Sequence, residues 1–136
     1  MSLLTWSEAF SVKIDSIDEQ HKKLINMING LHDAMQLGDS KKVIEKILEG
    51  LAVYTVKHFG YEEELFRKYG YPQSGQHTQE HQALTNQVLA LQKRLSTEES
   101  FMLGVEILEF LKNWLINHIQ GSDMRYSAFL VEKGVI

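Results

Sequence analysis

No cysteine occurs among the 136 residues. Disulfides, thiolate catalysis, iron–sulfur clusters and thiolate zinc sites are thereby excluded, and any metal has to be held by nitrogen and oxygen. Lysine and arginine form no cluster beyond short pairs, and the formal net charge is −4. That balance argues against nucleic acid and anionic membrane as partners. No apolar run approaches membrane-spanning length, and the N-terminus has no charged leader followed by an apolar stretch, so a cytoplasmic domain is expected. Repeats and low-complexity tracts are absent too. What is there, 43% hydrophobic and 24% charged residues, suits a single globular domain over 1–136 with a real core.

Residues 1–17 carry no helical stripe: Phe10, Val12 and Ile14 alternate with polar residues, which predicts an extended arm laid over the body. From about Asp18 to Leu37 the period becomes helical, with His21, Leu24, Ile25, Ile28, Leu31 and Met35 on one face. Gly38-Asp39-Ser40 ends that helix and caps the next. A second helix, about Lys41 to Tyr69, aligns Ile44, Ile47, Leu51, Thr55, His58, Glu62 and Leu65. It contains Gly50 and Gly60, each costing roughly 1 kcal/mol against alanine, so a packing reason is expected for them. Gly70 to Gln76, with the sole proline, makes the next connection. The third helix, about His77 to Leu95, aligns His77, His81, Leu84, Val88, Leu91 and Leu95. After Ser96-Thr97, where either hydroxyl suits a cap and Glu98 and Glu99 a first turn, a fourth helix carries Phe101, Val105, Leu108, Leu111, Leu115 and His118. Gly121 and Ser122 interrupt it, and a short helix at about 122–132 brings Tyr126, Phe129 and Leu130 to the core. The expected fold is all-α: an up-down-up-down antiparallel four-helix bundle (about 18–118) with an N-terminal arm and a short C-terminal helix.

His77 and His81 stand four residues apart, which on a helix stacks both imidazoles on one face within reach of one metal ion. Alternating chain direction then brings His21, His58 with Glu62, His77 with His81, and His118 with Asp123 to one end of the bundle. Seven polar groups on core-facing positions at one level are not a requirement of packing, and without a cation they lose several kcal/mol on desolvation. The donor count exceeds what one tetrahedral zinc uses and suits two six-coordinate irons bridged by carboxylates, with one position open. Asp123, five residues after His118, falls off that histidine's face of a regular helix, so Gly121 is expected to turn the backbone and return the carboxylate. The Glu-x-x-His motif of ferritin-like oxidases does not occur.

These residues resemble the hemerythrins, and most closely the bacterial hemerythrin-like domains, from about Trp6 to the C-terminus. The resemblance rests on Asp18-Glu19-Gln20-His21, on His58-Phe59-Gly60-Tyr61-Glu62, on His77-x-x-x-His81, and on the run from Trp114 through His118 to Asp123. It implies that His77, His81 and His118 bind one iron, that His21 and His58 bind the other, and that Glu62 and Asp123 bridge them together with an oxo or hydroxo group. The implied activity is reversible O2 binding at the two-histidine iron, for carriage, storage, delivery or sensing, with small anions able to take the same position. A partner or fused sensor or oxygenase belongs to that picture. The alternative is a di-iron enzyme on the same centre: a peroxidase, a nitric oxide reductase or an iron oxidase. The missing Glu-x-x-His motif and an apolar wall favour the non-enzymatic reading, with Leu115 and Ile119, beside His118, as candidates for that wall.

Other residues have plainer roles. His32 shares the stripe of His21 but stands eleven residues away, about 16 Å along the helix, too far to join the site. Trp114, Phe59 and Tyr61 are expected to pack, and Tyr126 to pack or to hydrogen-bond near the site. Of Glu62-Glu63-Glu64, only Glu62 lies on the core stripe, and the others are expected to face solvent.

Overall fold

The computed structural model describes residues 3–97 and 101–136. Helices α1 (Asp15–Gln36), α2 (Lys41–Tyr69), α3 (Ser74–Thr97) and α4 (Phe101–Asn117) lead into a π-helical stretch, His118–Asp123, and then α5 (Met124–Glu132). Helix α1 packs on α2, α2 on α3, α3 on α4, and α4 on α1. The ring is the expected four-helix bundle, and short connections make its neighbours antiparallel. Among the described residues, no helix is long and apolar enough to cross a membrane.

The apolar stripes form the core much as their period demands. Leu24, Ile25, Ile28 and Leu31 of α1 meet Leu48, Leu51 and Phe59 of α2 and Leu111, Trp114 and Leu115 of α4 in one large cluster. On α4, Leu103, Ile107 and Trp114 are buried as well, whereas Val105 is only half-buried. Gly38 and Gly70 end α1 and α2 with φ of 71° and 70°, left-handed values that cost a residue with a Cβ roughly 1 kcal/mol or more. The Gly70 N–H reaches the Phe66 carbonyl at 2.8 Å. Ser40 caps α2 by accepting from the Val43 N–H at 3.4 Å.

Several boundaries differ from the sequence expectation. Helix α1 begins at Asp15, three residues before Asp18, and Ile14 precedes it without a side-chain cap. Asp18 instead reaches back, accepting from the Val12 N–H at 2.9 Å and the Ser11 hydroxyl at 2.6 Å, and so fastens the arm. The expected extended arm is broken by a 3-10 turn at Glu8–Phe10 and by Lys13, whose φ of 63° is left-handed. Its start is pinned by Asn29, whose side chain bonds both the N–H and the carbonyl of Leu4. Helix α3 starts at Ser74 rather than His77, and Ser96 and Thr97 belong to its last turn. Their hydroxyls donate to the Lys93 carbonyl at 2.8 and 3.1 Å instead of capping α4. Glu98 and Glu99 lie outside the described residues. No packing reason for Gly50 and Gly60 is found: an added Cβ would meet only Met27 Cε at 4.0 Å in the first case and nothing within 4 Å in the second. The crowded glycine is Gly104, where a Cβ would stand 2.8 Å from Met35 Cε.

A second, smaller cluster joins Val12, Ile14 and Ile17 to Phe66, Tyr71, Tyr126, Leu130 and Val135. His81 stacks on Phe59 of the large cluster, and His77 meets Phe66 and Tyr126 of the small one. The polar layer therefore lies between two apolar ones.

Candidate metal centre

All seven sequence-predicted donors meet in that layer, and all are buried: His21, His58, Glu62, His77, His81, His118 and Asp123. Helix α1 supplies the first, α2 the next two, α3 the following pair, and the π-helical stretch after α4 the last two. The i, i+4 spacing puts His77 and His81 on one face as expected. His118 and Asp123 are aligned by a different device from the break foreseen at Gly121. The backbone from His118 to Asp123 is π-helical, and a π turn brings residues five apart onto one face. His118 Nε2 consequently lies 3.2 Å from Asp123 Oδ1.

The donors sort into two overlapping groups, Glu62 with His77, His81, His118 and Asp123, and Glu62 with His21, His58 and Asp123. Within each group the ligand atoms lie within 4.8 Å of one another. Asp123 turns one oxygen to each side: Oδ1 is 3.0 Å from His77 Nε2, and Oδ2 is 3.1 Å from His21 Nε2. Glu62 Oε1 stands 3.1 Å from His81 Nε2 and 3.6 Å from His58 Nε2. Its Oε2 accepts a short hydrogen bond from the buried Tyr126 hydroxyl, the contact near the site that the sequence suggested.

Charge and hydrogen bonding test whether metal fits. Glu62 Oε1, both oxygens of Asp123, and Nε2 of His77, His81 and His118 are buried without a hydrogen bond. Lone pairs crowded to about 3 Å in a dry layer are costly unless a cation sits among them. Burial drives the His58 pKa down to about 4, so that ring is neutral, as a ligand must be. Burial also opposes charge on His77, but Asp123 and Glu62 outweigh it and raise that pKa to about 9. His21 is raised in the same way, with Asp123 overcoming burial. Burial pushes both carboxylates upward, and Asp123 repels Glu62 as well, yet the surrounding histidines hold both below the ordinary range. The Tyr126 phenol, buried beside two carboxylates, is pushed well up and stays a proton donor.

Sequence reasoning missed the groups behind these candidate donors. His58 Nδ1 meets Gln20 Oε1 at 2.6 Å, and His81 Nδ1 meets Glu63 Oε2 at 2.8 Å. Glu63 is thus not simply a solvated face residue. Glu80 stands 3.7 Å from His118 Nδ1 and accepts from the Ser122 hydroxyl. Phe59 and Trp114 pack as expected, Phe59 stacked on His81 at 3.8 Å and Trp114 on His118 at 6.0 Å. Tyr61 does not: it is 36% exposed, and its hydroxyl donates to Ser16. Leu115 and Ile119 are fully buried within the large cluster. His32 stays apart, beside Asp33 and Gln36.

The fold and site define a class: helical-bundle proteins that hold paired metal ions between their helices with histidines and shared carboxylates. The chain belongs to the hemerythrin family, since the Hemerythrin HHE cation binding domain matches residues 12–130. It is 34% identical over 127 residues to a bacteriohemerythrin of Stenotrophomonas maltophilia, covering 93% of this chain and 81% of the relative. A bacteriohemerythrin of Methylococcus capsulatus is 35% identical, with 96% of this chain and 98% of the relative covered. A crystal structure of wild-type hemerythrin superimposes with a TM-score of 0.83 at 34% identity, over 93% of this chain and 97% of that one. A mutant form of hemerythrin gives 0.84 at 33% identity, over 94% and 97%.

Proposed function

We propose that this domain binds O2 reversibly at a non-haem, carboxylate-bridged di-iron centre and works as a binder rather than an enzyme. The observation that carries the reading is the pair of overlapping donor groups sharing Glu62 and Asp123, with buried donor atoms that have no hydrogen-bond partner among the described residues. His77, His81 and His118 would hold one iron and His21 and His58 the other, with Glu62 and Asp123 within reach of both groups. The second group offers one histidine fewer, so O2 or a small anion would be taken up on that side. When bound, the two ferrous ions supply the electrons that make oxygen uptake reversible.

The chain's own residues do the rest. Tyr126 fixes the orientation of Glu62 by donating to Oε2. Phe59 and Trp114 lie against His81 and His118 and hold those rings in place. Leu115 and Ile119, both buried, form the apolar wall that keeps water and protons from the open position. Residues 1–136 act as one domain in the cytoplasm, alone or joined to a sensor or oxygenase that uses the oxygen.

Absorption spectra of the reduced, iron-loaded protein before air, after air, and after argon purging test the function. A charge-transfer band that appears with air and fades under argon through several cycles is the expected result. A band that decays in one pass with turnover of a reductant would replace the binder with an oxidase. For the ligands, Glu62→Ala and Asp123→Ala are expected to lose most bound iron and His32→Ala none, by metal analysis. Equal loss in all three would overturn the assignment.

A further inference from the structure

The inward Nε2 atoms of the two donor groups are alike, but their outward Nδ1 atoms are not. In the three-histidine group, His81 Nδ1 is hydrogen-bonded to the Glu63 carboxylate at 2.8 Å. His118 Nδ1 lies 3.7 Å from the Glu80 carboxylate, which Ser122 steadies through its hydroxyl. In the two-histidine group, His58 Nδ1 meets the neutral amide oxygen of Gln20 at 2.6 Å. His21 Nδ1 is buried with no hydrogen-bond partner among the described residues. Carboxylates therefore face the outward ring nitrogens behind one metal position, whereas behind the other the group that meets a ring nitrogen is an amide, and Asp18, held by Ser11 and Val12, acts on His21 only through space.

An imidazole that ligates through Nε2 carries its proton on Nδ1. A carboxylate accepting that proton pushes electron density into the ring and makes it a stronger donor, whereas a neutral acceptor does this less. A stronger donor favours the more highly charged ion. Both acids are about one-third exposed, so water screens the effect without removing it.

We propose that Glu63 and Glu80 are positioning residues that set the two iron positions apart in potential. They bias the three-histidine position toward the higher charge state and leave the open, two-histidine position with the lower one. This rests on the di-iron reading above, and neither acid is itself a ligand.

The test starts with wild-type protein loaded with ferrous iron, and two irons per chain with a reversible oxygen spectrum establish the underlying reading by themselves. Spectroelectrochemical titrations of wild type, Glu63→Gln, Glu80→Gln, Gln20→Glu and Glu64→Gln then address the bias. Gln at position 63 keeps the size and the accepting oxygen, so a merely structural role would survive it. The expected result is a higher potential for one of the two one-electron steps in Glu63→Gln and Glu80→Gln. A tenfold loss of preference for the higher charge state reads as about 59 mV for one electron. Gln20→Glu is expected to lower the other step, and Glu64→Gln, whose carboxylate pairs with Arg67 on the surface, to leave both unchanged. If wild type holds no iron pair, the functional reading and this inference both fall. If it holds the pair but the Glu63, Glu80 and Gln20 variants titrate like wild type, this inference alone falls. Should Glu63→Gln lose its iron, Gln20→Glu decides, because it adds charge instead of removing it.

Discussion

Leu115 stands three residues before His118 and is 2% exposed, which places its side chain in the last apolar turn before the polar layer. Truncation to alanine leaves a cavity that water can enter, and water that reaches a bound oxygen species brings the protons that release it. Leu115→Ala is expected to keep two irons per chain while the oxygenated form decays about tenfold faster, or roughly 1.4 kcal/mol of barrier. Stopped-flow mixing with air-saturated buffer measures that decay, and an unchanged lifetime would make Leu115 ordinary core. At this scale the candidate donors other than Asp123 were legible because each lies on the stripe of its own helix: His77 and His81 repeat every four residues, and His58 and Glu62 do the same. Gln20, Glu63 and Glu80 were not legible. Each sits one position off a stripe, and whether it meets a ring nitrogen depends on the rotation of a neighbouring helix, which no single helix encodes.

The π-helical stretch makes a sharper test at the scale of one element. Because His118 and Asp123 share a face only through a five-residue turn, inserting one alanine after Gln120 sets them six apart, a spacing that neither an α nor a π turn closes, and rotates Asp123 relative to His118 by about 100°. The insertion variant is expected to keep its helical circular dichroism and to lose most of its iron. Full iron content would mean that the spacing does not matter. Gly60 offers the opposite experiment: a Cβ there meets nothing within 4 Å. Gly60→Ala is expected to stabilise α2 by about 0.5–1 kcal/mol, read as a higher midpoint in urea. The five-residue gap was visible in the sequence, but its solution was misjudged. A glycine next to a polar pair suggests a break, whereas the chain widens one turn and runs straight on into α5.

Considered as a whole molecule, the iron-free protein has to carry its buried charges unaided, and pH exposes this. The His77 pKa rises on folding from 6.5 to about 9. Its contribution is therefore fully present below 6.5 and is lost as pH climbs through 9. His58 moves the other way, from 6.5 to about 4. Below 6.5 the unfolded chain takes up that proton and the folded one does not, so stability falls as pH drops toward 4. Glu62 and Asp123, both lowered, contribute stability that is present above their ordinary values and lost in more acid solution. Denaturation of the iron-free protein at a series of pH values is expected to give a maximum near pH 6.5. Monotonic stability from pH 5 to 9 would contradict it, and iron should flatten the curve by taking the place of the protons. The bundle itself was readable from four apolar stripes and short connections. The second apolar cluster was not, since its members come from the arm, from α2 and from α5 and beyond, too far apart in the chain for any local period to link them.

Tyr126, Leu130 and Val135 close that cluster against Val12, Ile14 and Phe66. The Ser127 hydroxyl ties α5 to the carbonyl of Val12, 115 residues upstream. A ribosome delivers these partners only after all four bundle helices. His21, His58, His77 and His81 leave the exit tunnel well before the segment that shuts over them, and until residue 135 has followed they face solvent and every divalent ion the cell contains. Slow decoding of the codons for 118–135 would lengthen the interval in which bare histidines can capture the wrong ion.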